Sequence, residues 1–442
     1  MPISPARRSA FEVLRRVESE AAFASVLLAR LDSRISENDR ALCYELVMGV
    51  LRRRLWLDKN IEHFGSRPIE DLDLAVRLSL EIGLYQLRFL SRIPASAAVN
   101  ESVNLVRARG VKSAAGFVNA VLRRATREAD YDPAATVSNQ VERIAVETSH
   151  PSWLVKRWTT ALGVEAAESF ARANNETPPV SFRFTSRAAA AGQKNEIIDE
   201  LTTNGAELIP SSVTPNAWRV IGEASPVRKL AGAGLIYLQD EASQLISHLL
   251  KVEAGQYVLD LAAAPGSKAT HISLLEPDVT IVAGDLYSHR VTAMRDLAQL
   301  QDAKISTLLH DARHPLPFPD KRFDRVLLDA PCSGTGTLRR NPEIRWRLKP
   351  GDIDELASQQ RTMLAQAARV VRPGGRLIYS TCSVEIEENE AVIDAFLVGQ
   401  DDFVRRVMDA PRELQTGAGD LRTWPHLQGV DGFYVAALDR HQ

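Results

Sequence analysis

Apolar residues follow helical spacing in the first part of the chain, from Ser4 to about Asp130. Two stripes show this spacing, one formed by Val13, Leu14 and Val17 and the other by Val99, Val103 and Val106. The second stripe ends at Gly110, a residue type that often follows a helix, and Ser36 with Asp39 predicts a capped helix start. The pattern predicts an all-helical domain over residues 1–140.

The spacing changes to strand-like alternation between about His150 and Leu235. Apolar residues alternate with polar ones at Val180, Phe182 and Phe184, and again at Trp218 and Val220. Alternation of this kind predicts half-exposed strands, and a helical stretch that ends at Gly205 separates them. We expect a small α+β module of the split βαβ type over residues 141–236.

From Tyr237 onward, short strand-like runs alternate with helical stretches. The runs lie at residues 257–261, 280–285, 305–309, 325–329, 376–380 and 432–438. This alternation predicts a Rossmann-like, doubly wound α/β domain over residues 237–442, whose parallel strands end at one common edge. The expected fold is therefore multidomain, with an all-α domain, a small α+β module and an α/β domain.

Composition fits a multidomain protein of the reducing cytoplasm. The chain has 442 residues, more than one ordinary core accommodates, of which 45% are hydrophobic and 25% charged. Its three cysteines are too few for a disulfide framework and lack zinc-site spacing, which favours a cytoplasmic location. No apolar run approaches the ~18 residues that cross a bilayer, and no export signal is visible. We expect neither membrane insertion nor a bound metal.

The net charge of −2 gives no global attraction to nucleic acid, so RNA contacts would have to come from local basic patches. Two arginine clusters, at residues 52–54 and 123–127, are candidates, although such clusters are more often solvated helix faces. Trp153 and Trp158 lie beside Lys156 and Arg157 and either stack on bases or anchor a core. Both alternatives stay open here.

Acidic residues recur where the predicted strands of the α/β domain end. They are Asp260, Asp285, Asp311 and Asp329, and Cys382 follows the next strand. Ligands of open parallel sheets bind at this carboxyl edge. A small-residue loop at 262–268 lets backbone N–H groups approach a ligand, and Asp285, 25 residues after Asp260, has the spacing of an acid that accepts ribose hydroxyls. A nucleoside cofactor is expected, although an ordinary strand-to-helix turn would explain the loop alone.

Two of the three cysteines, Cys332 and Cys382, each follow a strand-like run and precede turn-forming residues. Thiolates are nucleophiles, so a pair at the carboxyl edge suggests covalent catalysis. A redox dithiol is an alternative, but no Cys-x-x-Cys motif is present. Cys43 is expected to be a buried small hydrophobe.

In combination, the motifs resemble those of S-adenosylmethionine-dependent RNA cytosine-C5 methyltransferases. The similar segments are residues 239–242, 260–268, 329–336, 340–346, 373–375, 381–390 and 431–433. Upstream, residues 85–87, 92–95 and 118–124 resemble the NusB-like domain of the RsmB/Sun branch, which methylates 16S ribosomal RNA. The resemblance extends from about Ser4 to Ala437.

The resemblance implies S-adenosylmethionine as cofactor and a set of residues that bind it. The loop residues in contact with the cofactor would be Ala262, Ala263, Ala264, Pro265, Gly266, Ser267 and Lys268. Asp285 would hold the ribose, Asp311 would lie by the adenine, and Asp329 would lie near the methionine end and the target base. The family usually has a second glycine where this chain has Ser267, so we expect a modest change in affinity.

A covalent mechanism follows from the same resemblance. Cys382 matches the residue that adds to cytosine C6, which makes C5 nucleophilic, and Cys332 matches the residue that assists release. Lys268 is one candidate for the positive charge that activates Cys382. Asp329 could accept a hydrogen bond from the amino group of the base.

The expected substrate is 16S rRNA or a partly assembled small-subunit particle, with the target base unstacked into the site of a monomeric enzyme. The same chemistry on tRNA or 23S rRNA is the nearest alternative, and the NusB-like segment disfavours tRNA. A non-catalytic RNA-binding assembly factor is an alternative of another class. The two cysteines and the four edge acids argue against it.

Overall fold

The computed structural model describes residues 3–31, 35–222 and 225–442, and the chain divides into two compact units. One unit contains Met1–Thr177 together with Leu338–Arg347. The other contains Pro178–Thr337 and Leu348–Gln442. Within the described ranges, no helix combines the length and the apolarity that crossing a membrane requires.

The first unit is helical, as its apolar spacing predicts. Its α-helices are Pro5–Ser19, Ala24–Ala29, Glu37–Gly65, Leu74–Phe89, Ala95–Ala108, Ala115–Arg127, Gln140–Thr148, Ser152–Leu162, Val164–Ala173 and Ile344–Arg347, with 3₁₀ turns at Ile69–Asp71 and Lys112–Ala114. The six residues of the two apolar stripes are buried. The Ser36 hydroxyl accepts a hydrogen bond from the Asp39 N–H, so the predicted helix start is confirmed.

Leu338–Arg347 lies in the helical unit, although its neighbours in sequence belong to the other unit. Arg345 is fully buried and donates a hydrogen bond to the Ser149 carbonyl oxygen at 3.0 Å. Arg52, also buried, donates to the Arg339 carbonyl oxygen at 2.7 Å. The interval 237–442 is therefore interrupted in space by a segment that the helical unit holds.

Arginines of the cluster at residues 52–54 have hydrogen-bond and ion-pair partners within the helical unit. The Arg52 guanidinium is buried against a backbone carbonyl. Arg54 pairs with Glu18 at 2.9 Å. The hypothesis that this cluster contacts RNA is wrong for Arg52, whose guanidinium is buried, and it stays a prediction for Arg53 and Arg54.

The structure distinguishes base stacking from core anchoring for Trp158 but not for Trp153. Trp158 is only 2% exposed, and its ring makes edge-to-face contacts with His150 and Phe170. It is a core anchor, and base stacking is wrong for it. Trp153 is half-buried, and base stacking stays a prediction there.

The second unit begins with a four-stranded antiparallel sheet. Its strands are β1 (Val180–Phe184), β2 (Ala206–Pro210), β3 (Ala217–Gly222) and β4 (Ile236–Leu238), in the order β2-β3-β1-β4. The accompanying helices are Ser186–Ala190, Lys194–Thr203 and Ser225–Gly232. The α+β prediction is confirmed, but β1 is not half-exposed, because both of its polar side chains, Ser181 and Arg183, are buried.

The second sheet has eight strands, and the five at one end of it are parallel. The strands are β5 (Tyr257–Asp260), β6 (Thr280–Asp285), β7 (Ser306–Leu309), β8 (Phe323–Asp329), β9 (Val371–Thr381), β10 (Phe403–Arg406), β11 (Leu421–Arg422) and β12 (Tyr434–Arg440). Their order is β10-β12-β9-β8-β5-β6-β7, with β11 beside β12, which runs antiparallel to β9. All six predicted runs are strands, of which 280–285 has the predicted ends and the other five have shifted ends, whereas β10 and β11 were not predicted.

Helices pack with this sheet and complete the predicted α/β domain. They are Glu241–Leu249, Ser267–Leu275, Ser288–Gln301, Pro350–Val370, Glu390–Val398 and Pro425–Gln428, with 3₁₀ turns at Thr335–Thr337, Ile386–Glu388 and Arg412–Leu414. Two apolar clusters flank the strands, one around Leu328 and Tyr379 and the other around Leu327 and Ile378. The sheet is thus buried on both faces, which leaves the strand ends as the accessible places for chemistry.

Candidate active site at the carboxyl edge of the large sheet

The carboxyl edge of the parallel strands brings together most of the predicted site residues. Asp260, Asp285 and Asp329 are the last residues of β5, β6 and β8, and Cys382 follows β9 directly. Asp311 lies two residues beyond the end of β7. Because these strands are parallel neighbours, their final residues share one edge.

The loop after β5 is shaped by its backbone. Gly266 has φ +100°, and a Cβ there would lie 2.9 Å from Met294 Cγ, so this position needs glycine. The Ala264–Pro265 peptide bond is cis. The Ala263 N–H donates to the Gly284 carbonyl oxygen at 2.8 Å. The helix that starts at Ser267 therefore points its free N–H groups at the carboxyl edge.

A buried arginine from the small sheet supports this loop. Arg183 donates 2.9 Å hydrogen bonds to the Ser267 carbonyl oxygen and to Thr270 Oγ1. A third bond, of 3.0 Å, reaches Gln239 Oε1. Burial lowers the pKa of Arg183 to about 9. The first turn of the helix is thus fixed by a side chain that the alternation pattern placed in solvent.

Buried Lys268 and half-buried Asp329 form an ion pair at the centre of the site. Lys268 Nζ lies 2.5 Å from one Asp329 oxygen, and Ser380 Oγ donates to the other at 2.7 Å. Burial lowers the pKa of Lys268, but Asp329, Asp260 and Cys382 together raise it above its ordinary value. Lys268 is therefore a permanent cation beside the thiols.

The remaining acids have different environments. Asp260 is fully buried, and burial raises its pKa to about 7 against the lowering effect of Lys268. Asp285 is mostly buried and accepts the Tyr287 N–H at 3.1 Å. Asp311 pairs with Arg313 at 2.6 Å, and hydrogen bonds from that residue hold its pKa at about 2.

The two cysteines expected to act together are in contact. Cys332 Sγ and Cys382 Sγ lie 3.4 Å apart, and both residues are half-buried. The pKa of Cys332 is raised well above its ordinary value, first by its hydrogen bond with Cys382 and then by burial. Cys43 is fully buried, as predicted, and burial raises its pKa to about 12.

Close backbone contact joins the two thiol segments. The Gly336 N–H donates to the Cys382 carbonyl oxygen at 2.9 Å, and the Gly432 N–H donates to the Gly336 carbonyl oxygen at 2.8 Å. A Cβ at Gly336 would lie 2.0 Å from the Gly432 carbonyl oxygen. Only glycine permits this approach.

Buried side chains form a second link between the thiol segments. Glu388 accepts hydrogen bonds from the Ser333 N–H at 2.8 Å and from Ser383 Oγ at 2.5 Å. Gln360 Nε2 donates to it at 3.0 Å. Among the described residues, no group of three or more His, Cys, Asp or Glu side chains is placed to hold a metal ion.

Each of the three parts of the chain matches a known protein family. Residues 4–127 match the NusB family, residues 150–227 match the RsmF/B-like ferredoxin-like domain, and residues 247–439 match the family described as 16S rRNA methyltransferase RsmB/F. The probable ribosomal RNA small subunit methyltransferase B of Bacillus subtilis (strain 168) is 34% identical over 98% of both chains. This chain belongs to the RsmB/F methyltransferase family.

Two further relatives fit this family membership. The ribosomal RNA small subunit methyltransferase B of Escherichia coli (strain K12) is 34% identical over 98% of both chains. The crystal structure of PH0851 has a TM-score of 0.84 and 29% identity, with 100% of both chains covered. The predicted family and three-part fold class are confirmed, and the roles of single residues stay predictions.

Two buried residues of this RsmB/F site were missed in the sequence. Arg183 alternates with Phe182 and Phe184, so it had the pattern of a solvent-facing position. Glu388 stands in the acidic run 387–390, where nothing local separates a buried acid from exposed ones. The one sequence signal for a role of Glu388 in the site was its position six residues after Cys382.

Proposed function

We propose that the protein transfers a methyl group from S-adenosylmethionine to C5 of a specific cytosine in 16S rRNA. The observation that carries this proposal is the 3.4 Å contact between Cys332 Sγ and Cys382 Sγ at the carboxyl edge of the parallel strands. Two adjacent thiols suit a reaction that needs a nucleophile and a separate base. The proposed enzyme acts as a cytoplasmic monomer without a metal ion.

The geometry of the loop after β5 supports a nucleoside cofactor. Gly266 gives the loop its left-handed turn against Met294, and the helix starting at Ser267 offers backbone N–H groups. Asp285 stands at the end of the neighbouring strand, where it would accept ribose hydroxyls. Residues 262–268, Asp311 and Asp329 complete the proposed cofactor site. When bound, S-adenosylmethionine supplies an electrophilic methyl group.

Cys382 is the proposed nucleophile. Cytosine C5 is a poor nucleophile because the ring is aromatic, and a bond from Cys382 Sγ to C6 converts C5 into an enamine carbon. The Lys268 cation stabilises the Cys382 thiolate electrostatically. Asp329, held by Lys268 and Ser380, would orient the base by accepting from its amino group.

Cys332 is the proposed base of the release step. After methylation, C5 carries one hydrogen, which must leave as a proton before the Sγ–C6 bond breaks and the Cys382 thiolate departs. While Cys382 is free, its hydrogen bond with Cys332, then burial and then the charge of Cys382 raise the pKa of Cys332. A carbon bond to Cys382 Sγ removes the thiol hydrogen and the charge of Cys382, while burial and the Glu388 carboxylate remain. Cys332 then loses its proton to solvent more readily and becomes a base at the step that needs one.

A basic face on the helical unit supports an RNA substrate. Helices Ala95–Ala108 and Ala115–Arg127 border two clefts, of about 380 and 470 Å³. Their polar lining includes Asn100, Asn104, Arg107, Asn119, Arg123 and Arg127. The only acid in residues 95–127 is Glu101, which accepts the Ser4 N–H at 3.0 Å. Guanidinium and amide groups on an acid-poor face suit phosphate contacts.

Bisulfite sequencing of total RNA from a deletion strain tests the proposal. We expect one methylcytosine to disappear from 16S rRNA, and the wild-type gene to restore it while Cys382→Ala does not. Loss from tRNA or 23S rRNA instead would favour the alternative substrates. Unchanged methylation would leave the non-catalytic assembly factor as the better hypothesis.

A further inference from the structure

We propose that Glu388 is a positioning residue that holds Cys332 and Cys382 at their working separation. Its effect on catalysis rests on the proposed covalent mechanism. The separation itself is measurable without methyl transfer, so the two ideas fail independently.

Glu388 joins the two residues that directly follow the thiols. It is fully buried and ends the 3₁₀ turn Ile386–Glu388. One carboxylate oxygen accepts the Ser333 N–H at 2.8 Å, one residue after Cys332. The other accepts the hydroxyl of Ser383 at 2.5 Å, one residue after Cys382, and also the Ser333 hydroxyl. A single carboxylate therefore bridges both thiol segments.

Glu388 is itself fixed from two further elements. Gln360, on helix Pro350–Val370, donates 3.0 Å hydrogen bonds to Glu388 Oε1 and to the Pro331 carbonyl oxygen. The Tyr379 hydroxyl, on β9, donates to the Glu388 backbone carbonyl oxygen at 2.6 Å. Hydrogen bonds from the sheet and from a packed helix therefore hold Glu388 in place. Through Glu388 they restrain the positions of the two cysteines.

The charge of Glu388 affects the two thiols differently. Burial raises the pKa of Glu388, while hydrogen bonds from Ser333, Ser383 and Gln360 oppose that rise. The carboxylate also adds to the raised pKa of Cys332, whereas Lys268 faces Cys382. The two thiols therefore differ in charge environment, with Cys332 kept protonated beside an acid and Cys382 kept near a cation.

A disulfide-closure assay on the full-length protein measures the separation. Diamide takes up the two thiol hydrogens and is reduced to the hydrazine as the Sγ–Sγ bond forms. Alkylation of the remaining thiols, followed by mass spectrometry, gives the closure rate, and buried Cys43 is the internal reference for an unreacted thiol. We expect Glu388→Ala to slow closure on the order of tenfold or more, because small misplacements cost large factors in proximity.

Matched variants separate positioning from general damage. Glu388→Gln should slow closure less, since it keeps one acceptor oxygen. Glu390→Gln is the control, because it removes an acid two residues away whose partner is Arg422, at 2.7 Å. Its disulfide should form at about the wild-type rate. If Glu388→Ala does not fold, Ser333→Ala and Ser383→Ala, which each remove a donor to Glu388, decide the question through slower closure.

A second measurement connects the position to the reaction. With RNA and S-adenosylmethionine, Glu388→Gln should lower kcat and raise the fraction of protein trapped as a Cys382–RNA adduct, with KM for the cofactor unchanged. A purely structural role would not change that partition. Slower closure without adducts in any variant, including wild type, would support positioning and count against the covalent mechanism. Closure at the wild-type rate in folded Glu388 and serine variants would overturn the positioning role.

Discussion

The proposed cofactor side and the thiol side of the carboxyl edge are built from different interactions. Residues 262–268 take their shape from the backbone, through the left-handed Gly266 and a helix start. The segments after Cys332 and Cys382 are joined by the backbone contact at Gly336 and, in addition, by buried side-chain hydrogen bonds to Glu388. Apart from Lys268, side-chain changes should therefore be tolerated in this loop, and they should be costly around the thiols.

The largest effect should come from removing one thiol. We expect Cys382→Ala to abolish turnover without a covalent RNA adduct, because the proposed nucleophile is gone. Cys332→Ala should still add to the base and accept the methyl group, then stall with RNA attached through Cys382. Denaturing gels with labelled RNA and cofactor distinguish the two variants by a shifted band.

Cys43→Ala is the matched control, since Cys43 is a buried thiol of the helical unit. It should keep turnover and form no trapped adduct. A shifted band for Cys382→Ala and none for Cys332→Ala would exchange the two roles. Activity in both variants without any adduct would rule out cysteine catalysis.

The next largest effect should come from the backbone contact between the thiol segments. Gly336→Ala puts a Cβ where the Gly432 carbonyl oxygen lies 2.0 Å away, so the backbone must shift. We expect a loss of about 1–3 kcal/mol in the free energy of unfolding, the usual cost of overpacking. Gly351→Ala, whose Cβ would meet nothing within 4 Å, is the control. Equal denaturation midpoints for both variants would contradict the close contact.

On the cofactor side, the main side-chain effect should come from Asp285. Asp285→Ala should weaken S-adenosylmethionine binding by about 1–3 kcal/mol, because a charged acceptor of the ribose hydroxyls is lost. Titration calorimetry measures the change, and Asp296→Ala, an exposed acid on the following helix, is the control. An unchanged dissociation constant would remove Asp285 from the ribose role.

The sequence was sufficient for the parts of the fold that depend on local patterns. The parallel strands are apolar runs because both sheet faces are buried, so runs such as 280–285 were located with correct ends. Short edge strands such as β11, with two residues, carry too little pattern to be recognised. The edge acids could be placed because parallel strands end together.

The parts that sequence could not supply depend on buried polar groups with distant partners. Arg183, Arg345 and Glu388 are all fully buried, yet each stands in a stretch that looks solvent-facing. A charged residue is normally exposed unless it is paired, and its partner is visible only in the folded chain. The placement of Leu338–Arg347 in the helical unit has the same origin, since buried Arg345 finds its partners there.

A smaller effect concerns the pH dependence of stability. The folded-state pKa of Asp260 is about 7, above the value of about 3.9 for an unfolded aspartate. Between these values the folded state binds more protons, so stability falls as pH rises through that interval. Asp260→Asn should flatten this fall in urea unfolding measured at several pH values. Asp311→Asn should leave it in place, because the pKa of Asp311 is held at about 2. A slope unchanged by Asp260→Asn would contradict the buried, protonated acid.

The smallest effect should come from Ser267, the position where the family usually has glycine. Its carbonyl oxygen accepts from Arg183 at 2.9 Å, and glycine would keep that contact because it belongs to the backbone. Ser267→Gly and Ser267→Ala should therefore each change the free energy of cofactor binding by less than about 1 kcal/mol. Titration calorimetry on both variants beside Asp285→Ala gives the comparison. A larger change in either variant would mean that the serine side chain contributes to the site, and that the cofactor side is not built from backbone alone.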